Sequence, residues 1–535
     1  MDARKTEYIL GKRIIAQSGA ANAERLLQCD IRQAVLGEVP VTAIRDGGYV
    51  LIDFGRELQG GLHYVIQQTS KRRAMMRVVF GESAMEAMSS IGEKNATNDH
   101  APRDMTIEIA ALSSQRIGNT GFRFVKIEAV GNDIELRSAQ AVFEYIDLQY
   151  RGSFTCDNDT LNKIWKVGAY TVHLNIQEYI WDGIKRDRLV WIGDMHPEIS
   201  TISAVFGNIE TVRRSLDLIR ESTPEGQWMN GFPSYTMWWI VIQRDWYMYT
   251  GDKEYLLAQK KYLMAAAERI AGSINENGAS NLEPPFVDWS SNGKPEAYVG
   301  FQAMLILSLD AAAEIFDVFG EPELREKCLE AKNRAKDYLP GGAARNKQMA
   351  ALAALAGLIS HADAAAYIEK DGAHGLSSFL GFYTLQALAE AGKMDSALEL
   401  IQSYWGKMIE FGATTFWEDF DIEWTKNAVP IDMLVPEGKD DIHGDFGRFC
   451  YEKFRHSLCH GWASGPTAFL SKHVLGITAI EPGFRTVRIR PDLGSLKWAK
   501  GTYPTPYGDI SVSHEVVNGS VKTAIDAPPE ITIVE

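Results

Sequence analysis

Acidic, basic and indole side chains alternate along residues 181–194, WDGIKRDRLVWIGD. The segment sets three aspartates and three cations among its two tryptophans: Trp181, Asp182, Lys185, Arg186, Asp187, Arg188, Trp191 and Asp194. A solvated loop with local ion pairs has the same charge pattern, but such a loop gives no reason for flanking indoles. Carboxylate oxygens accept hydroxyl hydrogen bonds, a guanidinium donates in a fixed plane, and an indole face covers the C–H face of a sugar. The segment therefore predicts a carbohydrate site.

A second candidate segment, FGATTFWEDF at residues 411–420, places Glu418 directly after Trp417 in an otherwise apolar and aromatic run. A carboxyl group in such surroundings either keeps its proton, which suits general acid–base catalysis, or pairs with a cation. A structural pair with an arginine is therefore the alternative interpretation of Glu418. Together the two segments supply carboxylates far apart in the sequence, which are the minimum equipment for glycoside hydrolysis.

The elements that must position these segments change twice along the chain. Residues 1–150 contain short runs rich in β-branched and aromatic residues between turns, which predicts an N-terminal β-sandwich-like domain. Residues 151–470 repeat apolar side chains every three or four positions and have the length for about twelve helices. That number favours a central all-α (α/α)6 barrel over an α-solenoid, because no repeat of about 33–47 residues is present. Residues 471–535 return to strands and predict a small C-terminal β-domain.

Composition argues against several classes of function. The 535 residues include 55 Lys or Arg and 70 Asp or Glu, and the net charge of −15 disfavours general binding to nucleic acid or anionic lipid. No apolar run approaches the roughly 18 residues of a membrane span, and the opening MDARKTEYILGKR contains no signal peptide, which predicts a cytoplasmic protein. The five cysteines are scattered without CxxC spacing, so neither a disulfide framework nor a zinc site is expected. The sequence does not indicate an oligomeric state.

Three motifs give the chain a family resemblance: WDGIKRDRLVWIGD, GATTFWEDF and the ending PGFRTVRIRPDLGSLKWAKGTYPTPYGDISV. Through them, the region from near Gly152 to near the C-terminus resembles the bacterial α-L-rhamnosidases of glycoside hydrolase family 78. The resemblance implies an inverting exo-glycosidase that removes terminal α-L-rhamnosyl or related residues from a carbohydrate substrate in a barrel pocket. It also implies a general acid in the first motif and a glutamate base in the second.

The acid position differs from the family pattern. The family motif reads Arg-Asp-Glu-Arg-Leu-Gly-Trp-Thr-Gly-Asp with Glu as the acid, whereas this chain is one residue shorter between Arg186 and Trp191. Counting back from the shared Trp-x-Gly-Asp places Asp187 on the acid position, and the second motif places Glu418 on the base. Because an aspartate is one methylene shorter, either its backbone lies closer to the scissile bond or the leaving group needs little acid help. We also expect Arg186 and Arg188 to point away from Asp187, toward other carboxylates or sugar hydroxyls.

The resemblance further implies which residues hold the sugar. These are Asp182, Arg186, Trp191 and Asp194 of the first motif, Asp288 and Trp289 of FVDW, Trp417 beside the base, and His460. We expect the pocket residues to converge on one cavity, because a small sugar needs several short hydrogen bonds and an aromatic face. A structural role for His460 is the equal alternative. His196 and Glu198 lack a third ligand at suitable spacing, so neither a metal nor another cofactor is predicted.

Two kinds of function are compatible with such a pocket. An inverting hydrolase uses Asp187 and Glu418 for cleavage, whereas a catalytically silent relative binds a sugar with the same lining. A silent relative has more often lost one carboxylate, and both are present here, which favours the enzyme. A polysaccharide lyase is the less favoured alternative, because it needs a base and a group that neutralises a uronate.

Overall fold

The computed structural model describes residues 3–342 and 346–534, which form two compact units. The first unit extends from the N-terminus to Asp147 and adds His173–Leu189 and Met408–His460. The second unit contains Leu148–Val172, Val190–Lys407 and the chain from Gly461 onward. Both predicted catalytic carboxylates therefore belong to the first unit. Because these units are defined by contacts and not by chain order, the division of the chain at residues 150 and 470 stays a prediction.

Strands and helices are both numerous among the described residues. The strands are β1 (Arg4–Leu10), β2 (Arg13–Ala21), β3 (Thr42–Thr69), β4 (Ala74–Gly81), β5 (Asp104–Ile109), β6 (Ser113–Val130), β7 (Ile134–Ile146), β8 (Ser153–Cys156), β9 (Ala428–Val429), β10 (Asp440–Asp441), β11 (Gly447–Arg448), β12 (Tyr451–Glu452), β13 (Ile477–Ala479), β14 (Thr486–Ile489), β15 (Trp498–Thr505), β16 (Gly508–Val517), β17 (Ser520–Asp526) and β18 (Thr532–Val534). The helices are α1 (Ala84–Met88), α2 (Asp159–Asn175), α3 (Met195–Val205), α4 (Glu210–Ser222), α5 (Pro233–Thr250), α6 (Lys253–Ala258), α7 (Lys260–Gly272), α8 (Ala297–Phe319), α9 (Pro322–Lys336), α10 (Lys347–Leu355), α11 (His361–Glu369), α12 (Gly381–Glu390), α13 (Met394–Glu410) and α14 (Gly465–Phe469).

A seven-stranded antiparallel sheet forms the base of the first unit. Its order is β1-β7-β3-β6-β4-β5, and β2 pairs with β3. Strand β3 is 28 residues long, and shifts of register near Asp53 and Gly60 mark bulges that bend it. Gly60 has φ 142°, and a Cβ there would lie 1.9 Å from the carbonyl oxygen of Val142, so only glycine fits this bend. The sheet therefore curls.

Helix α1 brings two glutamates into the interior of the first unit. Ser83 caps the helix by accepting a hydrogen bond from the backbone N–H of Glu86. Ala84 and Ala87 pack into a buried apolar cluster of the sheet. This packing leaves Glu82 and Glu86 with no solvent exposure, so both carboxylates must find partners inside the protein.

The helices of the second unit begin and end at the residues expected for helix termini. Helix α5 starts with Pro233 at its first position and ends before Gly251, whose φ is 69°. Helix α8 ends before Gly320, whose φ is 70°. Proline fits the first turn because its missing N–H would have no helical partner, and glycine accepts the left-handed conformation that closes a helix.

One described helix, α8, is long and apolar enough to cross a membrane by length and composition alone. However, 83% of its apolar window is buried inside the protein, as in the core helix of a globular unit. Its Gln302 is satisfied there as well, because Nε2 donates to the carbonyl oxygens of Gly278 and Ala335 at 2.8 and 2.9 Å. The apolar window of α8 and its polar Gln302 thus both have their contacts inside the protein.

The C-terminal residues form two small sheets, consistent with the C-terminal β-domain predicted from the sequence. One is the four-stranded sheet β17-β16-β15-β8, and the other is the three-stranded sheet β13-β14-β18. Strand β8 joins the first sheet through antiparallel pairing with β15, although it precedes the helices in the chain. The protein is therefore multidomain, with β-structure at both ends of the chain and helices between.

Candidate active site

The first acidic segment forms a tight loop closed by its own aspartate. The Asp182 carboxylate accepts a hydrogen bond from the backbone N–H of Leu189 at 2.9 Å, and the Asp182 N–H donates to Leu189 O at 3.1 Å. Inside this closure, Asp187 and Arg188 adopt left-handed backbone conformations, with φ of 56° and 59°. Two consecutive non-glycine residues in this region are uncommon, although aspartate adopts it more readily than most residues.

The second segment holds Glu418 in the interior of the same unit, where its side chain is 3% exposed. Glu418 exchanges backbone and side-chain hydrogen bonds with Ser457. The Ser457 N–H donates to Oε2 at 3.1 Å, and the Glu418 N–H donates to Ser457 O at 3.0 Å. On its other oxygen, Oε1 accepts a hydrogen bond from Arg186 Nη2. The predicted alternative of a Glu–Arg pair is thus present, and the arginine comes from the first acidic segment.

Arg186 connects the two segments. While Nη2 binds Glu418, Nη1 lies 3.8 Å from Asp187 Oδ1. His460 completes the group, with Nε2 at 3.6 Å from Glu418 Oε1 and 3.8 Å from Asp182 Oδ2. We call these five residues, Asp182, Arg186, Asp187, Glu418 and His460, the charged cluster. The structure brings all five together within the first unit.

Burial shifts the pKa of two members of the charged cluster, Asp182 and His460. It raises the pKa of Asp182 well above its ordinary value, and the neighbouring charge of Asp187 adds to the effect. Burial likewise lowers the pKa of His460 well below its ordinary value, with Arg186 contributing, so the imidazole is neutral near pH 7. Burial opposes the charge of Arg186, but the acidic neighbours Glu418, Asp187 and Asp182 together outweigh burial and raise the pKa of the guanidinium. Arg186 is therefore the permanent cation of the cluster.

Asp187 is the most open member of the charged cluster. Its side chain is 20% exposed, and Oδ1 lies 3.3 Å from Nε2 of His100, a residue of the N-terminal region. Arg188 turns away from Asp187, as expected: its guanidinium donates two hydrogen bonds to Asn119 and lies 4.3 Å from the centre of the Trp181 ring. Arg186 also reaches another carboxylate, while remaining close to Asp187.

A buried network lies beneath the charged cluster. Glu82 accepts hydrogen bonds from the Leu458 N–H at 2.6 Å and from the hydroxyl of Ser457, the residue that binds Glu418, at 3.4 Å. Lys185 Nζ lies 2.9 Å from Glu82 and 3.3 Å from Glu86. Among the described residues, Glu82, Glu86 and His443 have the composition of a metal site. The ammonium of Lys185 already supplies the cation for these two glutamates.

Four predicted sugar-binding residues lie in the second unit, around one set of aromatic rings. Tyr235 donates a hydrogen bond from its hydroxyl to Asp194 at 3.2 Å, and the Trp191 ring meets Tyr235 edge-on at 6.1 Å. Phe286 contacts both Tyr235 and Trp289, at 6.0 and 5.2 Å between ring centres. Asp288 accepts a hydrogen bond from Ser290 at 2.7 Å. We call Trp191, Asp194, Tyr235, Phe286, Asp288 and Trp289 the aromatic cluster.

The loop around Gly193 is built to seat Tyr235. A Cβ at Gly193 would lie 2.3 Å from the Tyr235 ring, so glycine permits the ring to cover the backbone next to Asp194. Trp191 is partly exposed, as a sugar platform requires. The convergence of this aromatic cluster with the charged cluster on one sugar stays a prediction.

Trp417 has a different environment from the one predicted for a sugar contact. Its side chain is 1% exposed and packs edge-on against Phe420 at 5.6 Å, so in this structure it is a core residue beside Glu418. Its predicted contact with a sugar stays a prediction. His460 is equally buried, but it points its Nε2 at two carboxylates of the charged cluster.

Sequence reasoning missed three residues of this region. Glu82 and His100 come from the N-terminal strands and loops, which carried no chemical motif, and Tyr235 stands in a helix with a generally apolar sequence.

Two family models match the chain. The bacterial α-L-rhamnosidase 6-hairpin glycosidase domain matches residues 149–474, and the bacterial α-L-rhamnosidase C-terminal domain matches residues 476–534. Among curated proteins, an α-L-rhamnosidase of Alteromonas sp. (strain LOR) is 25% identical over 471 residues, covering 77% of this chain and 48% of the relative. An α-L-rhamnosidase of Formosa agariphila is 22% identical over 477 residues, covering 76% of this chain and 46% of the relative. The chain spans about half the length of these relatives.

Solved structures share the fold. The GH78 family rhamnosidase of Bacillus sp. GL1 superposes with a TM-score of 0.76 at 21% identity, covering 96% of this chain and 55% of its own. The rhamnosidase from Klebsiella oxytoca, solved with rhamnose bound, gives a TM-score of 0.67 at 19% identity, covering 88% of this chain and 96% of its own. At these identities the likeness establishes the fold.

Proposed function

Since this chain belongs to the bacterial α-L-rhamnosidase family, we propose that it is a glycoside hydrolase that removes terminal α-L-rhamnosyl or closely related residues. The relatives that match it are named α-L-rhamnosidases, and one solved neighbour holds rhamnose. The substrate class of the whole protein is part of this proposal, as is its inverting mechanism.

One observation carries the proposal: a single buried guanidinium contacts two carboxylates from distant parts of the chain. Arg186 binds Glu418 and lies 3.8 Å from Asp187. A purely structural Glu–Arg pair has no need of a second, partly exposed carboxylate on a strained loop. Two carboxyl groups held near each other, one to protonate the leaving oxygen and one to activate water, are in contrast what inverting glycoside hydrolysis requires.

In the proposed mechanism, Asp187 is the general acid and Glu418 the general base. Asp187 gives its proton to the glycosidic oxygen as the bond between that oxygen and the anomeric carbon breaks. Glu418 takes a proton from a water molecule, whose oxygen attacks the anomeric carbon from the opposite face. The two carboxyl groups should lie roughly 6.5–9.5 Å apart in the complex to leave room for that water. Arg186 and the Ser457 N–H hold Glu418 in place for this role.

The sugar-binding residues divide between two kinds of contact in this proposal. Asp182, Arg186 and His460 offer hydrogen-bonding groups, and His460, being neutral, both donates and accepts. Asp194, Asp288, Trp191 and Trp289 offer carboxylates and indole faces, with Trp417 as a further candidate. We propose that the helices of the second unit form an (α/α)6 barrel and that the curled N-terminal sheet is a β-sandwich-like domain. The 6-hairpin description of the matching family model supports the barrel.

The test is a panel of aryl glycosides, with 4-nitrophenyl α-L-rhamnoside assayed first, followed by proton NMR of the sugar released. We expect turnover of the α-L-rhamnoside and appearance of the β-anomer as the first product. Release of the α-anomer first would contradict inversion while leaving the hydrolase assignment intact. Turnover of no glycoside in the panel, together with binding of rhamnose, would instead favour the alternative of a catalytically silent sugar-binding relative.

A further inference from the structure

His100 is the residue outside the family motifs that lies against the proposed acid. Its Nε2 is 3.3 Å from Asp187 Oδ1, and both side chains are partly exposed, at 35% and 20%. Such contacts are often long before substrate binds and shorten in the complex. We propose that His100 is a positioning residue for Asp187, which sets the acid's geometry and stabilises it as it loses its proton. This inference rests on the proposed function of Asp187.

The loop that carries His100 is anchored on both sides of it. Asn98 accepts hydrogen bonds from the backbone N–H groups of Arg103 and Asp104 at 2.9 and 3.0 Å. Asp99 binds Arg455 Nη1 at 2.8 Å. Since Arg455 stands two residues before Ser457, which binds Glu418, the segment that positions the base also holds the loop of His100. The contact with Asp187 is therefore part of a built arrangement.

The backbone supports the same assignment. His100 has φ 64°, and its contact partner Asp187 has φ 56°, both in the left-handed region. This conformation is uncommon for non-glycine residues, although aspartate and histidine adopt it more readily than most. Both residues that make the contact therefore have this uncommon backbone conformation.

The chemistry follows from the two oxygens of the acid. When His100 is neutral with its proton on Nε2, it donates to Asp187 Oδ1, which leaves Oδ2 as the oxygen that carries the acid's proton. That proton passes to the glycosidic oxygen, which departs with the electron pair of the broken bond, while His100 keeps its own proton. The hydrogen bond strengthens as Asp187 becomes a carboxylate, so His100 stabilises the transition state more than the ground state.

The other charged and titratable groups near Asp187 have different tasks. Arg186 is committed to Glu418, Asp182 closes the loop through Leu189, and the electrostatic influence of Asp187 also reaches His460 and Cys450. His460 is directed at Glu418 and Asp182. Among the described residues, His100 is thus the histidine whose imidazole points at Asp187.

A double-mutant cycle tests the inference, using His100→Ala and Asp187→Asn singly and together. The substrates are 4-nitrophenyl α-L-rhamnoside, whose leaving group needs little acid, and a rhamnosyl disaccharide, whose leaving group needs much. We expect His100→Ala to lower kcat on the disaccharide about tenfold with little change in KM, and far less on the nitrophenyl substrate. In the Asp187→Asn background the same change should cost almost nothing, because there is no acid left to position. His100→Gln, which keeps an N–H donor, should recover most of the loss.

The outcomes separate this inference from the proposed function. If Asp187→Asn lowers kcat on both substrates by the same factor, the assignment of Asp187 as the acid fails. If Asp187→Asn acts selectively on the disaccharide but His100→Ala costs the same factor in both backgrounds, His100 acts independently of the acid and the inference is overturned. An unchanged kcat of His100→Ala on the disaccharide would also overturn the inference about His100. Matched unfolding curves for the variants and the wild type ensure that a folding defect is not read as a catalytic one.

Discussion

The charged cluster and the aromatic cluster both contain aspartates but surround them differently. In the charged cluster, carboxylates meet a guanidinium and a neutral imidazole, and burial shifts the pKa of Asp182 and of His460. In the aromatic cluster, Asp194 and Asp288 accept hydrogen bonds from the hydroxyls of Tyr235 and Ser290 beside indole and phenyl rings. We propose a division of labour, in which Asp187 and Glu418 of the charged cluster move protons while the residues of the aromatic cluster bind the sugar. Variants in the two clusters should therefore affect kcat and KM differently.

The largest effect is expected in the charged cluster, from Glu418→Gln. The amide cannot take a proton from water, so kcat on 4-nitrophenyl α-L-rhamnoside should fall on the order of 1,000-fold, within the range of general acid–base catalysis. KM should change little. The matched control is Glu437→Gln. Glu437 is an exposed residue of the same Met408–His460 part of the first unit, and its variant should keep wild-type turnover. Turnover of Glu418→Gln within a few-fold of wild type would remove Glu418 from the mechanism.

The next effect concerns the support beneath the charged cluster. Lys185→Met removes the cation that lies 2.9 Å from Glu82, and an unpaired buried charge costs about 3–5 kcal/mol of unfolding free energy. Burial raises the pKa of Glu82 from 4.5 to about 7, although Lys185 opposes the shift. A carboxyl with a raised pKa in the folded protein destabilises it progressively as the pH rises from about 4.5 through 7.

The Lys185→Met loss should therefore be larger at pH 8, where Glu82 is ionised, than at pH 5, where it holds a proton. Urea unfolding at the two pH values measures the difference. Lys5→Met is the control, because Lys5 and its partner Asp147 are both exposed, and the change should cost less than about 1 kcal/mol at either pH. An equal loss at both pH values would show that Glu82 does not depend on Lys185.

Trp191→Ala tests the role proposed for the aromatic cluster in binding the sugar. Loss of the indole face should raise KM for the rhamnoside about tenfold, equivalent to about 1.4 kcal/mol, with kcat near wild type. Trp498→Ala, in the C-terminal sheet, is the matched control and should leave KM unchanged. A fall in kcat with an unchanged KM would contradict the division of labour between the two clusters.

The smallest effect is expected from Tyr235→Phe. This change removes the hydroxyl that donates to Asp194 at 3.2 Å and keeps the ring that fills the space above Gly193. A typical intramolecular hydrogen bond contributes about 0.5–1.5 kcal/mol and this one is long, so KM should rise only a few-fold. Rhamnose titration by calorimetry gives the same quantity without turnover. A loss greater than that of Trp191→Ala would place Asp194, and not the indole, at the centre of recognition.

The sequence predicted the parts of the site that lie in continuous motifs. Asp187, Arg186 and Glu418 stand in segments whose composition is unusual by itself, and the helical and β-rich regions follow from the spacing of apolar residues. The sequence could not reveal His100 or Glu82, because each acts through a contact with residues far along the chain. The pairing of β8 with β15 is hidden for the same reason, since only the folded chain brings residues 153–156 to residues 499–502.

The central claim is that Asp187 acts as the acid, and a leaving-group comparison in Asp187→Asn tests it most directly. The variant and the wild type are assayed on 4-nitrophenyl α-L-rhamnoside and on a rhamnosyl disaccharide, with kcat measured for each. An asparagine cannot donate the proton that the leaving group of the disaccharide needs. The loss of kcat in the variant should therefore be on the order of 100-fold greater on the disaccharide than on the activated substrate. An equal loss on both substrates would make Asp187 a binding residue and contradict the account.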